Sequence, residues 1–194
     1  MLRKVLLAGA LLLLLAGCGA HKFIGTEFPG APAAAEILLT AHTGEPFRLS
    51  DSKGRLTLLF FGYSNCPDIC PAMLGVAQQT LERLGQDAGR VQVLFVTTDP
   101  ERDTPAALAQ YVARFHVNII GLTGSEDALK GVAAAYGVMS EVEIHKHGDA
   151  SAVYEVGHTS RLYLIDASGA LRLSYLAGVS AGDLLADIQY LLST

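Results

Sequence analysis

The chain has 194 residues, enough for one compact domain with a hydrophobic core and a short tail but too few for two full domains. Its 14 Lys and Arg against 19 Asp and Glu give a formal charge of -5, and the cations are scattered with no basic stripe, which argues against nucleic acid as a partner. Hydrophobic residues make up 51% of the chain, part of it an N-terminal run that is set aside before the fold is considered.

Met1-Leu2-Arg3-Lys4 supplies the positive start of a secretory signal, and the apolar run from Val5 to Ala16 is too short to span a membrane comfortably. The run ends in Leu15-Ala16-Gly17-Cys18, which resembles the bacterial lipobox. Residues 1–17 then read as a lipoprotein signal peptide, and Cys18 as the lipidated N-terminus of an exported protein anchored at a bacterial membrane. An uncleaved anchor helix is the alternative, and both readings place the domain outside the cytoplasm. With lipid on Cys18, Cys66 and Cys70 remain of the three cysteines and form a pair. Residues 18–35, rich in Gly, Ala and Pro and without periodicity, read as a flexible tether, so the domain is expected over 36–194.

Ile37–Thr40 and Phe47–Leu49 flank a turn at Gly44 and predict a small N-terminal β-hairpin at an edge. Leu56–Tyr63 is continuously apolar and predicts a central strand buried on both faces. A helical apolar face follows from Ala72 to Leu84, which puts the cysteines at a strand-to-helix junction. Val91–Thr98 predicts a second buried strand, and Thr104 as N-cap with Pro105 as first helical residue opens a helix to about Phe115. A short strand at Ile119–Leu122 and a helix over Ser125–Tyr136 repeat the pattern, so the sheet is built from βαβ units. Ser160–Ile165 and Leu171–Tyr175 then make a hairpin around Asp166–Gly169, and Gly182–Leu192 closes with an amphipathic helix. That order predicts an α/β, thioredoxin-like fold: a central mixed sheet flanked by helices, with the N-terminal hairpin as an addition.

Cys66 stands at the end of the buried strand and Cys70 four residues later in the first helical turn, a spacing that turns both sulfurs to one side. The helix dipole and free N–H groups there favour thiolate, so a lowered thiol pKa is expected. Two such sulfurs in an exported protein either close a disulfide as a redox pair or bind a soft metal ion. His158, just before the strand of the C-terminal hairpin, is the candidate third ligand, because the segment entering that strand of a thioredoxin-like sheet faces the cysteine loop. Thiolates favour Cu(I) and an imidazole extends the site to Cu(II), whereas a zinc site with three protein ligands would want a nearby carboxylate base that is not evident. Asp99, at the end of the second buried strand, either supports the cysteine loop from behind or turns the chain before Pro100. Glu101, Arg102 and Asp103 read as a solvated charge cluster. His145 and His147 are spaced for one side of a strand and give a weak hint of a second metal site.

Phe60-Phe61-Gly62-Tyr63-Ser64-Asn65-Cys66-Pro67-Asp68-Ile69-Cys70-Pro71, Thr98 to Pro105, Gly121-Leu122-Thr123-Gly124 and His158, in that order, resemble the SCO/SenC family from about Glu36 to the C-terminus. The resemblance implies a membrane-tethered protein that binds copper through Cys66, Cys70 and His158. It further implies that the protein delivers copper to the CuA site of cytochrome c oxidase subunit II, or to another exported copper protein, or keeps the CuA cysteines reduced. Two departures stand beside the site: Asn65 where members often carry His or Phe, and Gly157-His158-Thr159 where they carry Asp-His-Ser. The main alternative is a thiol-disulfide oxidoreductase acting through Cys66 and Cys70. The Cys-x-x-x-Cys spacing suits a metal better than the Cys-x-x-Cys of dedicated oxidoreductases, and an oxidoreductase has no need of His158. Delivery by ligand exchange is transport, not catalysis, and nothing in the chain calls for more than a monomer.

Overall fold

The computed structural model describes residues 21–138 and 161–194. In chain order its elements are β1 (Thr26–Glu27), β2 (Leu38–Ala41), β3 (Pro46–Arg48), β4 (Leu56–Gly62), α1 (Ile69–Leu84), β5 (Val91–Thr97), α2 (Pro105–Val112), β6 (Ile119–Thr123), α3 (Glu126–Ala135), β7 (Arg161–Ile165), β8 (Leu171–Leu176) and α4 (Ala181–Ser193). The strands form one mixed sheet in the order β1-β8-β7-β4-β5-β6-β2-β3. β4, β5 and β6 run parallel, joined through α1 and α2, and β7 lies antiparallel against β4. This is the thioredoxin-like α/β arrangement expected from the order of elements, with the β2–β3 hairpin added at one edge.

All seven residues of β4 are buried, and so are all seven of β5. Side chains alternate across a strand, so each of these strands feeds two cores. Leu58 and Phe60 join α1, α2 and α4 on one face through Leu74, Leu81, Leu108 and Leu184. Leu59 and Phe61 join α3 and the N-terminal hairpin on the other, through Leu129, Val132 and Leu39. Apolar on both faces, β4 occupies the middle of the sheet, and its C-terminal end opens into the cysteine segment. Short polar caps start three of the helices: Thr104 Oγ1 accepts from the Ala107 N–H at 3.3 Å, as expected, and Ser125 and Ser180 do the same for α3 and α4. α2 stops at Val112, three residues short of the expected Phe115, and its last turn is completed by Arg114 and Phe115 N–H bonds to Tyr111 and Val112.

Residues 21–35 differ from the flexible tether expected there. β1 pairs with β8, and Ala33 bridges to Ala170. The buried Asp187 of α4 accepts from the Gly25 N–H at 2.9 Å and from the Tyr175 hydroxyl at 2.9 Å, and the Ile24 N–H also points at it. A Cβ on Gly25 would lie 2.7 Å from the Tyr175 ring, so the glycine is there for close approach to that ring. His21 stacks on Tyr190 with ring centroids 3.7 Å apart. The segment is held by short strand pairing, by backbone bonds to one distant carboxyl group and by close packing, none of which leaves a periodic mark in sequence.

Candidate metal centre

Beyond Gly62 the chain leaves the sheet, turns through Tyr63 and Ser64, and enters α1 at Ile69. The Cys66 N–H donates to the Tyr63 carbonyl at 3.2 Å, which closes the turn. A helix start leaves N–H groups without partners, and here Asp68 at the N-cap makes no side-chain cap bond. The Cys66 sulfur serves instead, accepting from the Cys70 N–H at 3.4 Å. Both residues are free thiols, Cys66 9% and Cys70 0% exposed. They lie in the core that also holds Tyr63, Phe95 and Tyr111. A Cβ on Gly62 would lie 2.6 Å from the Cys70 sulfur and 2.9 Å from the Phe95 ring, so only glycine can end β4 beneath that sulfur.

Burial reverses the expectation of a lowered thiol pKa at Cys70. Desolvation, then a hydrogen bond to Cys66 and the nearby charges of Cys66 and Asp103, push its pKa well up, against a backbone hydrogen bond at Tyr63 that pulls it down. The helix-start effect assumes an accessible thiol, and this one has left water. Tyr63 is raised too, by burial and by the charges of Cys66 and Cys70, and its side chain is hydrogen-bonded to Cys66.

Asp103, expected in a solvated cluster, is fully buried. Its carboxyl group accepts from the Ser64 N–H at 3.0 Å and from the Thr97 hydroxyl at 2.6 Å, and it also bonds the Ser64 hydroxyl. It therefore pins the residue two before Cys66 to the end of β5. Asp99 donates its N–H to Thr97 Oγ1 at 2.9 Å and pairs its carboxylate with Arg102. The structure thus gathers Cys66, Cys70, Tyr63, Gly62 and Asp103 at one end of the sheet. Cys18, His145, His147 and His158 lie outside the described residues, and among the described residues no group of three or more His, Cys, Asp and Glu stands ready to hold a metal ion. The roles of Asp103 and Gly62 were missed from sequence. A glycine closing a largely apolar strand was a usable signal for Gly62; nothing in Asp99 to Asp103 distinguishes the fully buried carboxyl group from its neighbours.

The SCO1/SenC family profile matches residues 29–193. A "SCO2-like protein" of Rickettsia felis is 35% identical over 170 residues, which cover 80% of this chain and 82% of that protein. Among solved structures, copper-bound ScoI of Bradyrhizobium japonicum superposes with a TM-score of 0.73 at 32% identity, covering 82% of this chain and 99% of that one. Apo Sco1 from Thermus thermophilus gives a TM-score of 0.77 at 33% identity, covering 90% and 99%.

Proposed function

The chain belongs to the SCO1/SenC family, and from that membership we propose that it holds copper outside the cytoplasm, tethered by lipid on Cys18, and delivers it to the CuA site of cytochrome c oxidase subunit II or to another exported copper protein. Cys66, Cys70 and His158 are the proposed ligands. One observation carries the reading: two free thiols one helical turn apart, the first sulfur already at the helix start and both shielded from water. Buried sulfur donors suit a soft ion, and Cu(I) is the soft ion for which an added imidazole also tolerates the oxidised state.

This chain's own residues set the terms of loading and release. The raised pKa of Cys70 means that the empty site holds a thiol, so taking up copper expels that proton to solvent. Asp103, through Ser64, and Gly62, beneath the Cys70 sulfur, fix where the sulfurs stand. Copper leaves by exchange: a thiolate of the receiving site bonds to the ion as one of the Cys bonds breaks, with no change of oxidation state. A second reading, a thiol-disulfide oxidoreductase acting on exported proteins, is favoured by the closeness of the two free cysteines, the Cys70 N–H donating to the Cys66 sulfur at 3.4 Å.

Cu(I) competition titration of the full chain in detergent, beside Cys66→Ala, Cys70→Ala and His158→Ala, separates the two. Copper carriage predicts one tightly held ion and a loss in each variant exceeding the roughly 10–100-fold that follows loss of a mere supporting partner. Weak copper in the parent, together with fast exchange against glutathione disulfide, would leave the oxidoreductase reading.

A further inference from the structure

Among the described residues, three side-chain polar atoms are shut off from solvent without a hydrogen-bond partner: His21 Nε2, the Tyr111 hydroxyl and Arg55 Nε. Of these only the Arg55 guanidinium carries a permanent charge. Cations withdrawn from water are ordinarily paired, because desolvating a charge without a partner is costly. Yet none of the ion pairs among the described residues includes Arg55 or the nearby Lys53. Both side chains line a cavity of about 200 Å³. Its walls are the 3-10 turn Leu49–Ser52 with the loop after it, the segment at Ala33 and Ala34, and the turn Asp166–Gly169. The Gly54 N–H donates to the Ala167 carbonyl at 2.8 Å and the Ala34 N–H to the Gly169 carbonyl at 2.9 Å, which ties the three walls together.

Lys53 Cε lies 3.8 Å from where a Cβ on Gly169 would stand, so the lysine stem rests on the third wall. Two acids, Glu36 and Asp166, also line the space, but each is engaged by its own donors. Glu36 accepts from the Ile37 and Ser50 N–H groups at 3.0 and 3.2 Å. Asp166 accepts from the Ser168 and Ala170 N–H groups at 2.9 and 3.0 Å and from Arg172 at 3.0 Å. The two cations are left without a counterion. We propose that this cavity is a phosphate-binding site, with the Arg55 guanidinium and the Lys53 ammonium as its charged donors. A planar fork and a mobile point charge together suit an anion that presents several acceptor oxygens. The cavity is smaller than the roughly 300–1,000 Å³ of pockets that enclose a drug-sized ligand, and so fits a single phosphate group. The phosphate comes either from solution or from the headgroup of a membrane lipid. β4 begins at Leu56, beside Arg55, and the cysteines follow its far end, so the strand's seven residues set the two sites roughly 23 Å apart. The site stands independently of the copper reading.

The test is thermal unfolding of the metal-free full chain in a maltoside detergent, beside Arg55→Gln and Lys53→Gln. Sodium phosphate is titrated against sodium chloride and sodium acetate at matched ionic strength. A phosphate site predicts that phosphate alone raises the melting temperature, by mass action on the folded state. Each variant should weaken the apparent phosphate affinity about tenfold or more, the scale of a hydrogen bond to a charged group. Lys53 is exposed, so its variant removes no packing and keeps the test valid if Arg55→Gln fails to fold. Phosphatidylglycerol added to the detergent separates the sources. A lipid headgroup in the site raises the melting temperature of the parent but not of the variants and blunts the response to added phosphate; a site for free phosphate responds the same with and without the lipid. Equal responses to chloride or acetate, variants that respond as the parent does, or a parent that responds to neither phosphate nor the lipid would overturn the proposal.

Discussion

At the scale of single residues, the site is held by what fits beneath and behind the sulfurs. Gly62 is the sharpest case, since a methyl group there would stand 2.6 Å from the Cys70 sulfur and 2.9 Å from the Phe95 ring. Neither neighbour can retreat, because Cys70 and Phe95 are both fully buried. Gly62→Ala should therefore lower stability by about 1–3 kcal/mol through overpacking. It should also displace the sulfur and weaken copper binding in excess of what destabilisation explains. Urea unfolding of the metal-free protein and a Cu(I) titration check the two halves. Asp103 teaches the complementary point. Its three bonds to Ser64 and Thr97 tie the loop before Cys66 to the end of β5. The neighbouring Asp99 is spent on Arg102.

Among the elements, β1 and the segment around it are the surprise. Two residues of strand and one carboxyl group hold a stretch whose composition resembles a linker. Asp187 sits on α4, and α4 packs against α1, the helix that carries Cys70. Replacing Asp187 by Ala strips the acceptor from the Ile24 and Gly25 N–H groups and from the Tyr175 hydroxyl, a cost of roughly 1–3 kcal/mol. The expected result is local: amide exchange should speed at residues 24–27 while the β4 and β5 amides remain the slowest to exchange. Uniformly faster exchange would mean that the segment is integral to global stability.

Taken as a whole, the molecule buries several weak acids. Tyr111, Tyr136, Tyr163 and Tyr175 have pKa values raised by burial, as does Cys70. A group whose pKa is higher folded than unfolded contributes stability that is complete below its unfolded value and is lost as pH climbs toward the folded one. The window therefore opens near the ordinary values of 9.0 for the thiol and 10.0 for tyrosine. Stability should be flat with respect to these groups at neutral pH and fall steadily above about pH 9. Chemical unfolding measured from pH 7 to 11 checks this, and Tyr175→Phe should soften the slope.

How much of this was legible in the sequence follows from the range of the forces involved. β4 and β5 were readable because a strand buried on both faces is apolar at most positions, with Thr57, Gln92 and Thr97 as buried exceptions, and the Thr104 cap because it bonds its own helix start three residues on. The cysteine pair was readable because its spacing is local to one helical turn. Family membership followed from motifs in chain order, each a short stretch. Tertiary structure alone decided the rest. Whether Asp103 is solvated, whether Gly25 is a linker residue, and whether the Cys70 thiol ionises easily all depend on groups brought from far along the chain: Ser64, Asp187 with Tyr175, and the Phe95 layer. Burial is a property of the packed molecule, and at Cys70 it outweighs the helix-start effect, from which local reasoning predicted the opposite sign.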